Sequence, residues 1–224
     1  MTNLLLVHGW GFGPDVWEPL RSYLPPGLPV ETLDLGFRDP PRLDLPPAFG
    51  EEVVAVGHSL GLLWLLQQRP CAWKALVSIN GFARFTQAAD FPHGVAPRPL
   101  ARMRAKLAGD LAGVTGDFLA RCGLSSPAPL PSSLNGERLA EGLGWLAEWD
   151  GRAALEREPR LLALAGRQDP IVPPALTLDS FSTISQKPDS RLLWVEDGGH
   201  LLPLTHPRWC AEGILAWLDQ PLCP

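Results

Sequence analysis

The chain has 224 residues, of which 46% are hydrophobic and 19% charged, and its net charge is −5 at pH 7. This size suits one substantial domain with a sizeable core, and the mild acidity argues against a nucleic-acid-binding protein. No apolar run reaches the roughly 18 residues that cross a bilayer. The apolar start at 1–7 lacks a basic region and leads into a glycine-rich motif, so we expect a core strand of a cytoplasmic protein, not a signal peptide.

The first part of the chain alternates between strand and helix patterns. Short apolar runs predict strands, and apolar residues at helical spacing predict helices. The strands lie at 3–7, 30–35, 53–56 and 74–79, and the helices at 15–24 and 60–68. Because each strand is nearly continuous in apolar residues, the sheet should be parallel and covered on both faces.

The pattern changes after residue 81. Proline and glycine here separate short amphipathic segments, and no strand candidate occurs before residue 158. The amphipathic segments lie at 99–111, 116–122 and 135–149. We therefore predict a helical cap at 82–157, inserted after the fourth strand of a core that is formed by 1–81 and 158–224.

Strand patterns return at 160–165 and 191–196, and a final helix is predicted at 207–218, where a proline suits the first helical position. The predicted fold class is therefore α/β, with a mostly parallel sheet of about six strands and helices on both faces. Neither the cysteine spacing nor any other pattern indicates a metal or a cofactor, and we expect four free thiols. These are Cys71, Cys122, Cys210 and Cys223.

The stretch around Ser59 carries the strongest chemical signal. A β-branched run leads into Gly-His-Ser-Leu-Gly at 57–61, and an apolar helical run follows. This is the strand, tight turn and helix of a nucleophile elbow, in which the glycines leave room where strand and helix come close. The helix N-terminus would favour the negative charge that forms when an ester carbonyl is attacked.

Two further polar residues follow predicted strands. Asp169 follows the strand at 160–165, and His200 follows the strand at 191–196. Because parallel strands end at one edge of a sheet, Ser59, Asp169 and His200 should converge in the chain order of an α/β-hydrolase triad. Asp34 also follows a strand and stays open as an alternative acid.

An oxyanion needs two preset donors. The elbow rule assigns these to the backbone N–H groups of Leu60 and of Trp10, which lies in the Gly-rich loop after the first strand. A tight turn that binds nothing is the alternative for this loop. The side chains of Trp10 and Leu60 would then be free to line the acyl pocket, and His58 is expected beside the nucleophile as a pocket wall.

These motifs resemble those of the α/β-hydrolase superfamily and, more narrowly, of the pimeloyl-[acyl-carrier protein] methyl ester esterases of biotin synthesis. The narrower likeness is carried by Trp10, by Asn-Gly-Phe-Ala-Arg-Phe at 80–85 and by Phe-Leu-Ala at 118–120. The resemblance implies hydrolysis of a methyl ester at the far end of a pimeloyl chain, and a cap segment that lines the acyl channel. The implied substrate contacts are Phe118, Leu119, Ala120, Arg121 and Cys122.

The chain departs from this family at three places. Leu62 stands where a small residue is usual, and His58 stands where this family often has tryptophan. Because the first motif strand lies almost at residue 1, we also expect the usual N-terminal hairpin to be missing. A compact cap also leaves the length of the acyl substrate open.

Positive charge on the predicted cap suggests a partner. Arg98, Arg102 and Arg104 lie on one amphipathic segment of an otherwise acidic chain, and acyl-carrier proteins are strongly acidic. A solvated helix face is the alternative. The predicted function is a serine carboxylesterase acting on the carrier-bound ester. A broad short-chain carboxylesterase, a thioesterase or lyase, and a non-catalytic ligand-binding scaffold remain alternatives, because this fold does not fix the reaction.

Overall fold

The fold centres on one parallel β-sheet. The computed structural model describes residues 2–46, 49, 52–124 and 133–220. Its six strands are all parallel and follow the order β2-β1-β3-β4-β5-β6. They span β1 (Asn3–Val7), β2 (Val30–Leu33), β3 (Val53–His58), β4 (Ala75–Ile79), β5 (Leu161–Gly166) and β6 (Arg191–Val195). The predicted six-stranded α/β fold is therefore confirmed.

Helices connect the strands and cover the sheet. In chain order they are α1 (Glu18–Arg21), α2 (Leu60–Gln68), α3 (Pro97–Leu107), α4 (Leu111–Arg121), α5 (Gly136–Glu148), α6 (Arg152–Glu156), α7 (Pro174–Ser180), α8 (Leu202–Thr205) and α9 (Pro207–Leu218). Every residue of β1, β3, β4 and β5 is buried, so both faces of the inner sheet are covered. The edge strands β2 and β6 are partly exposed.

Two elements differ in detail from the sequence prediction. The helix expected at 15–24 is a 3₁₀ turn, Pro14–Trp17, followed by α1. Pro19 lacks the N–H that a continuous helix would need at this point. Strand β2 ends at Leu33, because the backbone of Asp34 turns to pair with Arg42 in an antiparallel bridge.

Helices α3 to α6, called here the inserted helices, lie between β4 and β5. Hydrogen bonds tie α5 and its flanks to the loop after β2: Asn135 N–H donates to the Phe37 carbonyl at 2.9 Å, and Arg138 Nε donates to the Leu35 carbonyl at 2.9 Å. Gly142 of α5 faces Trp10, where a Cβ atom would lie 2.7 Å from the indole Cδ1. The inserted helices thus rest on the loops at the carboxyl edge of the sheet. The division of the chain into core and cap domains stays a prediction.

Candidate active site

Ser59 lies at the sharp turn between β3 and α2. Its φ of 54° and ψ of −123° are unusual for a residue other than glycine. The two flanking glycines permit this turn, since a Cβ atom on Gly57 would lie 2.4 Å from Leu62 N and one on Gly61 would lie 2.1 Å from the Val7 carbonyl oxygen. The turn holds the serine at the N-terminus of α2.

Ser59, His200 and Asp169 form a continuous hydrogen-bonded chain. His200 Nε2 lies 3.1 Å from Ser59 Oγ, and His200 Nδ1 lies 2.8 Å from Asp169 Oδ2. All three residues are buried. Because a carboxylate only accepts, Nδ1 carries the proton, and Nε2 is left as an acceptor for the Ser59 hydroxyl. This is the arrangement in which an imidazole can remove a serine proton.

The Asp169 carboxylate is fixed by its own loop. Its Oδ1 accepts hydrogen bonds from Ile171 N–H at 2.7 Å and from Val172 N–H at 2.9 Å. The other oxygen is therefore oriented toward His200.

The alternative acid, Asp34, serves a different histidine. Asp34 Oδ1 lies 3.2 Å from His8 Nε2 and accepts from Gly36 N–H at 2.8 Å. Burial opposes the charge of this carboxylate, but its contact with His8 and the backbone bond outweigh burial and lower the pKa of Asp34. The same His8 Nε2 lies 3.0 Å from the Leu35 amide nitrogen, so His8 and Asp34 together hold the loops after β1 and β2 in contact.

The loop after β1 runs directly past Ser59. A Cβ atom on Gly9 would lie 2.9 Å from Ser59 Cβ. In the described part of the chain, neither the Trp10 N–H nor the Leu60 N–H donates to another protein group. Trp10 is itself held by its indole N–H, which donates to the Leu139 carbonyl at 2.9 Å. The two backbone N–H groups that the sequence suggested as oxyanion donors are thus unpaired, and Leu60 directly follows Ser59.

An apolar cavity of about 280 Å³ lies beside Asp169, between the loop after β5 and the inserted helices. Pro170 and Ile171 line it from the core. The remaining lining residues include Phe85, Val95, Pro99, Leu100, Met103, Phe118, Arg121, Leu143, Leu146 and Pro173. The cavity therefore offers mainly hydrocarbon surface, and Ser59, His200 and Asp169 are not among its lining residues.

The predicted cap contacts lie on α4 and its end, on different sides of the helix. Phe118 packs edge to face on Trp10, with ring centroids 4.9 Å apart, and Arg121 joins it in lining the cavity. Leu119 and Cys122 are buried, whereas Ala120 is exposed. Burial and the nearby Asp169 charge raise the pKa of the Cys122 thiol, so it stays protonated.

Known proteins resemble this chain over nearly its whole length. The sequence profile of the alpha/beta hydrolase family matches residues 4–213. This chain belongs to that family. It is 32% identical to a pimeloyl-[acyl-carrier protein] methyl ester esterase of Aromatoleum aromaticum, over 93% of this chain and 95% of that protein. An esterase of the same name from Xanthomonas campestris pv. campestris is 31% identical, over 94% of this chain and 92% of its own.

The family and these relatives identify the chain as a carboxylic ester hydrolase. Among solved structures, a bromoperoxidase from Bacillus anthracis shares the fold, with a TM-score of 0.79 at 16% identity over 98% of this chain and 92% of that one. Within the described residues, no helix is long and apolar enough to cross a membrane, and no three His, Cys, Asp or Glu side chains cluster as metal ligands. Cys71, Cys122 and Cys210 are free, and Cys223 lies outside the described residues.

His58 was predicted as a pocket wall, but His58, like Trp10 and Leu60, is not among the residues that line the apolar cavity of this hydrolase. It is fully buried, and its Nε2 donates to the His200 carbonyl oxygen at 3.0 Å. Burial, with the nearby His200, lowers the pKa of His58 to about 3, so the ring is neutral at pH 7. Its other nitrogen, Nδ1, has no partner among the described residues.

The sequence analysis missed the role of Asn80. This residue follows β4 directly and has a φ of 47°, and its side-chain amide bonds to Gly166 at the end of β5 and to the loop after β6. An Asn-Gly pair at the end of a strand was an available signal, because asparagine tolerates positive φ. His93 Nδ1 lies 2.9 Å from Asp179 Oδ2, and His206 Nε2 lies 3.3 Å from Asp197 Oδ1. Neither histidine takes part in the hydrogen-bonded chain of the site.

Proposed function

We propose that this hydrolase is a serine carboxylesterase that removes the methyl group from pimeloyl-[acyl-carrier protein] methyl ester in biotin synthesis. The hydrogen-bonded chain from Asp169 through His200 to Ser59 is the observation that carries this proposal. The names of the two relatives, which match nearly the whole chain, support the choice of substrate.

Ester attack begins at Ser59. His200 Nε2 takes the hydroxyl proton as Oγ forms a bond to the carbonyl carbon, and the carbonyl π electrons move to the oxygen. Asp169 stabilises the resulting imidazolium. The backbone N–H groups of Leu60 and Trp10 donate to the oxyanion, and each such donor contributes about 2.7–4 kcal/mol to lowering the barrier.

The intermediate collapses by breaking the bond to the methoxy oxygen. That oxygen takes the proton from His200 Nε2 and leaves as methanol, which gives an acyl-enzyme on Ser59. A water molecule then gives its proton to the same nitrogen as its oxygen attacks the acyl carbon. Collapse of this second intermediate returns the proton to Ser59 Oγ and releases the carboxylic acid.

The apolar cavity supplies a place for the methylene chain of the substrate. Phe118 and Arg121 line it, and the buried side chains of Leu119 and Cys122 complete the inner face of α4. Each buried CH₂ group contributes about 0.8 kcal/mol of binding free energy. Ala120 is exposed, and its assignment as a substrate contact stays a prediction.

Helix α3 is proposed as the docking surface for the carrier protein. Its inner side lines the cavity through Leu100 and Met103, and its outer side carries exposed arginines. Among the described residues, Arg98 and Arg102 have no ion-pair partner, while Arg104 lies 3.6 Å from Glu148. A carrier bound here would bring its acyl chain to the mouth of the cavity.

The decisive experiment compares two esters. We expect a higher kcat/KM on pimeloyl-[acyl-carrier protein] methyl ester than on p-nitrophenyl acetate, with methanol as the released alcohol. Ser59→Ala should abolish both activities without loss of the fold. Ser180→Ala is the matched control, because Ser180 is also buried but lies on α7, outside the proposed machinery.

Each alternative predicts a different result. Equal rates on the two esters would indicate a broad short-chain carboxylesterase. Release of the carrier thiol in place of methanol would indicate a thioesterase. Full activity in the Ser59→Ala protein would contradict the assignment of Ser59 as the nucleophile. If the unmodified protein turned over no ester, the result would indicate a non-catalytic ligand-binding scaffold.

A further inference from the structure

The main-chain carbonyl of His200 is held by two side chains. Asn80 Nδ2 donates to it at 2.9 Å, and His58 Nε2 donates to it at 3.0 Å. All three residues are buried, with exposed fractions of 0% for both histidines and 2% for the asparagine. We propose that Asn80 and His58 are positioning residues, which fix the His200 backbone so that its ring stays in line with Ser59 and Asp169. This inference rests on the proposed role of His200 as the general base.

The Asn80 amide joins three strand ends. Its Oδ1 accepts from Gly166 N–H at the end of β5 at 2.8 Å, and its Nδ2 donates to Gly199 O at 2.8 Å as well as to His200 O. This orientation of the amide is the one in which the oxygen meets a donor and the nitrogen meets two acceptors. The backbone of Asn80 has a positive φ of 47°, and this conformation orients its amide toward these three groups.

His58 supplies the second donor from the strand that carries the nucleophile. Its ring packs against the rings of Phe12, Trp17 and His200, with centroid separations of 5.8, 6.3 and 5.0 Å. Because the ring is neutral, it has a single N–H, and that N–H points at the His200 carbonyl. The ring is therefore a fixed donor of one hydrogen bond.

The loop before His200 needs such support. It contains Gly198 and Gly199, and glycine has the greatest backbone freedom of any residue. Ser59 and Asn80 follow neighbouring strands, since His58 pairs with Ile79 in the β3–β4 register. The two donors and the nucleophile are thus carried by adjacent strands of one sheet. The sheet thereby sets the separation between Ser59 Oγ and the backbone that carries the base.

Substitutions of nearly equal size test this inference. Asn80→Asp keeps an acceptor for Gly166 N–H but removes both donors, and His58→Leu removes the other donor. His58→Gln keeps an N–H at a similar reach. Because a misplacement of about 1 Å can cost about 10²-fold in rate, we expect kcat to fall by about that factor in Asn80→Asp and to fall in His58→Leu, with KM little changed.

The assay is hydrolysis of p-nitrophenyl acetate, together with the rate at which a phosphonate ester labels Ser59. His58→Gln should recover most of the activity that His58→Leu loses, a rescue that a general packing role would not give. Asn135→Asp is the matched control, because Asn135 caps α5 with its side-chain oxygen and the aspartate can do the same.

Wild-type kcat and labelling rates in folded Asn80→Asp and His58→Leu proteins would overturn the inference, as would equal losses in His58→Gln and His58→Leu. If Asn80→Asp does not fold, the two His58 variants decide the question. The His200→Ala variant distinguishes a failure of the proposed function from a failure of the positioning role. Full activity in that variant contradicts the proposed function, whereas its inactivity beside fully active Asn80 and His58 variants contradicts this inference alone.

Discussion

At the scale of single residues, two buried aspartates have similar local contacts but different histidine partners. Asp34 and Asp169 each follow a strand, each contact a histidine and each accept hydrogen bonds from backbone N–H groups. They differ in the histidine that they contact, since His200 reaches Ser59 and His8 does not take part in that chain. Of the two aspartates, Asp169 therefore contacts the imidazole that lies within hydrogen-bond distance of the Ser59 hydroxyl.

The matched pair of aspartate substitutions tests this distinction. Asp169→Asn should lower kcat by about 10⁴-fold, because an amide that donates to His200 Nδ1 favours the wrong tautomer. Asp34→Asn should leave kcat within a few-fold and lower the free energy of unfolding by about 1–3 kcal/mol, because it weakens a buried hydrogen-bonded pair. Steady-state kinetics and urea denaturation measure the two effects. A large loss of kcat in Asp34→Asn alone would reverse the assignment.

At the scale of elements, the nucleophile elbow depends on the close approach of α2 to β1. Gly61 is the contact point, because a Cβ atom there would overlap the Val7 carbonyl oxygen at 2.1 Å. The backbone of a central strand cannot move aside without breaking the hydrogen bonds of β1 to its neighbours in the sheet. Glycine is therefore required at this position by packing as well as by the turn.

Two glycine-to-alanine substitutions should have opposite effects on stability. Gly61→Ala should destabilise the protein by several kcal/mol and lower its melting temperature sharply, since overpacking here meets backbone atoms. Gly144→Ala should raise stability by about 0.5–1 kcal/mol, because Gly144 lies inside α5 with no atom within 4 Å of the added Cβ. Calorimetry measures both changes. A Gly61→Ala protein as stable as the wild type would contradict the described elbow.

At the scale of the whole molecule, charge is distributed unevenly. The chain carries a net charge of −5, yet α3 contains four basic and no acidic residues. Three of them, Arg98, Arg102 and Lys106, recur every fourth residue and so share one side of the helix. Such a local field can attract an acidic partner even when the whole molecule is negative.

Charge reversal on α3 tests the proposed docking. Changing Arg98, Arg102 and Arg104 to Glu should lower kcat/KM on the carrier-linked ester by roughly tenfold at low salt, with a smaller loss at high salt. Activity on p-nitrophenyl acetate should not change, because that ester needs no carrier. Arg21→Glu, an exposed charge reversal on α1, is the control for a change in surface charge away from α3. An unchanged kcat/KM on the carrier-linked ester would exclude this surface.

The sequence by itself determined the strands, the elbow and the order of the catalytic candidates. Buried parallel strands must be apolar throughout, and the bounds of α2 and α9 coincide with the predicted helical patterns at 60–68 and 207–218. The glycines at 57 and 61 also indicated the elbow in the sequence, because a tight strand-to-helix turn has little space for a Cβ atom at these positions. These features depend on local backbone geometry and on burial, and both produce a recognisable residue pattern within a short stretch of sequence.

Only the tertiary structure decided which side chains meet. Asp34 and Asp169 have the same local signature, and their partners His8 and His200 are chosen by strand order in the sheet. The bonds from Asn80 and His58 to the His200 carbonyl join residues that are 120 and 142 positions apart. No local pattern encodes such contacts, because they arise from the three-dimensional arrangement of loops at one edge of the sheet.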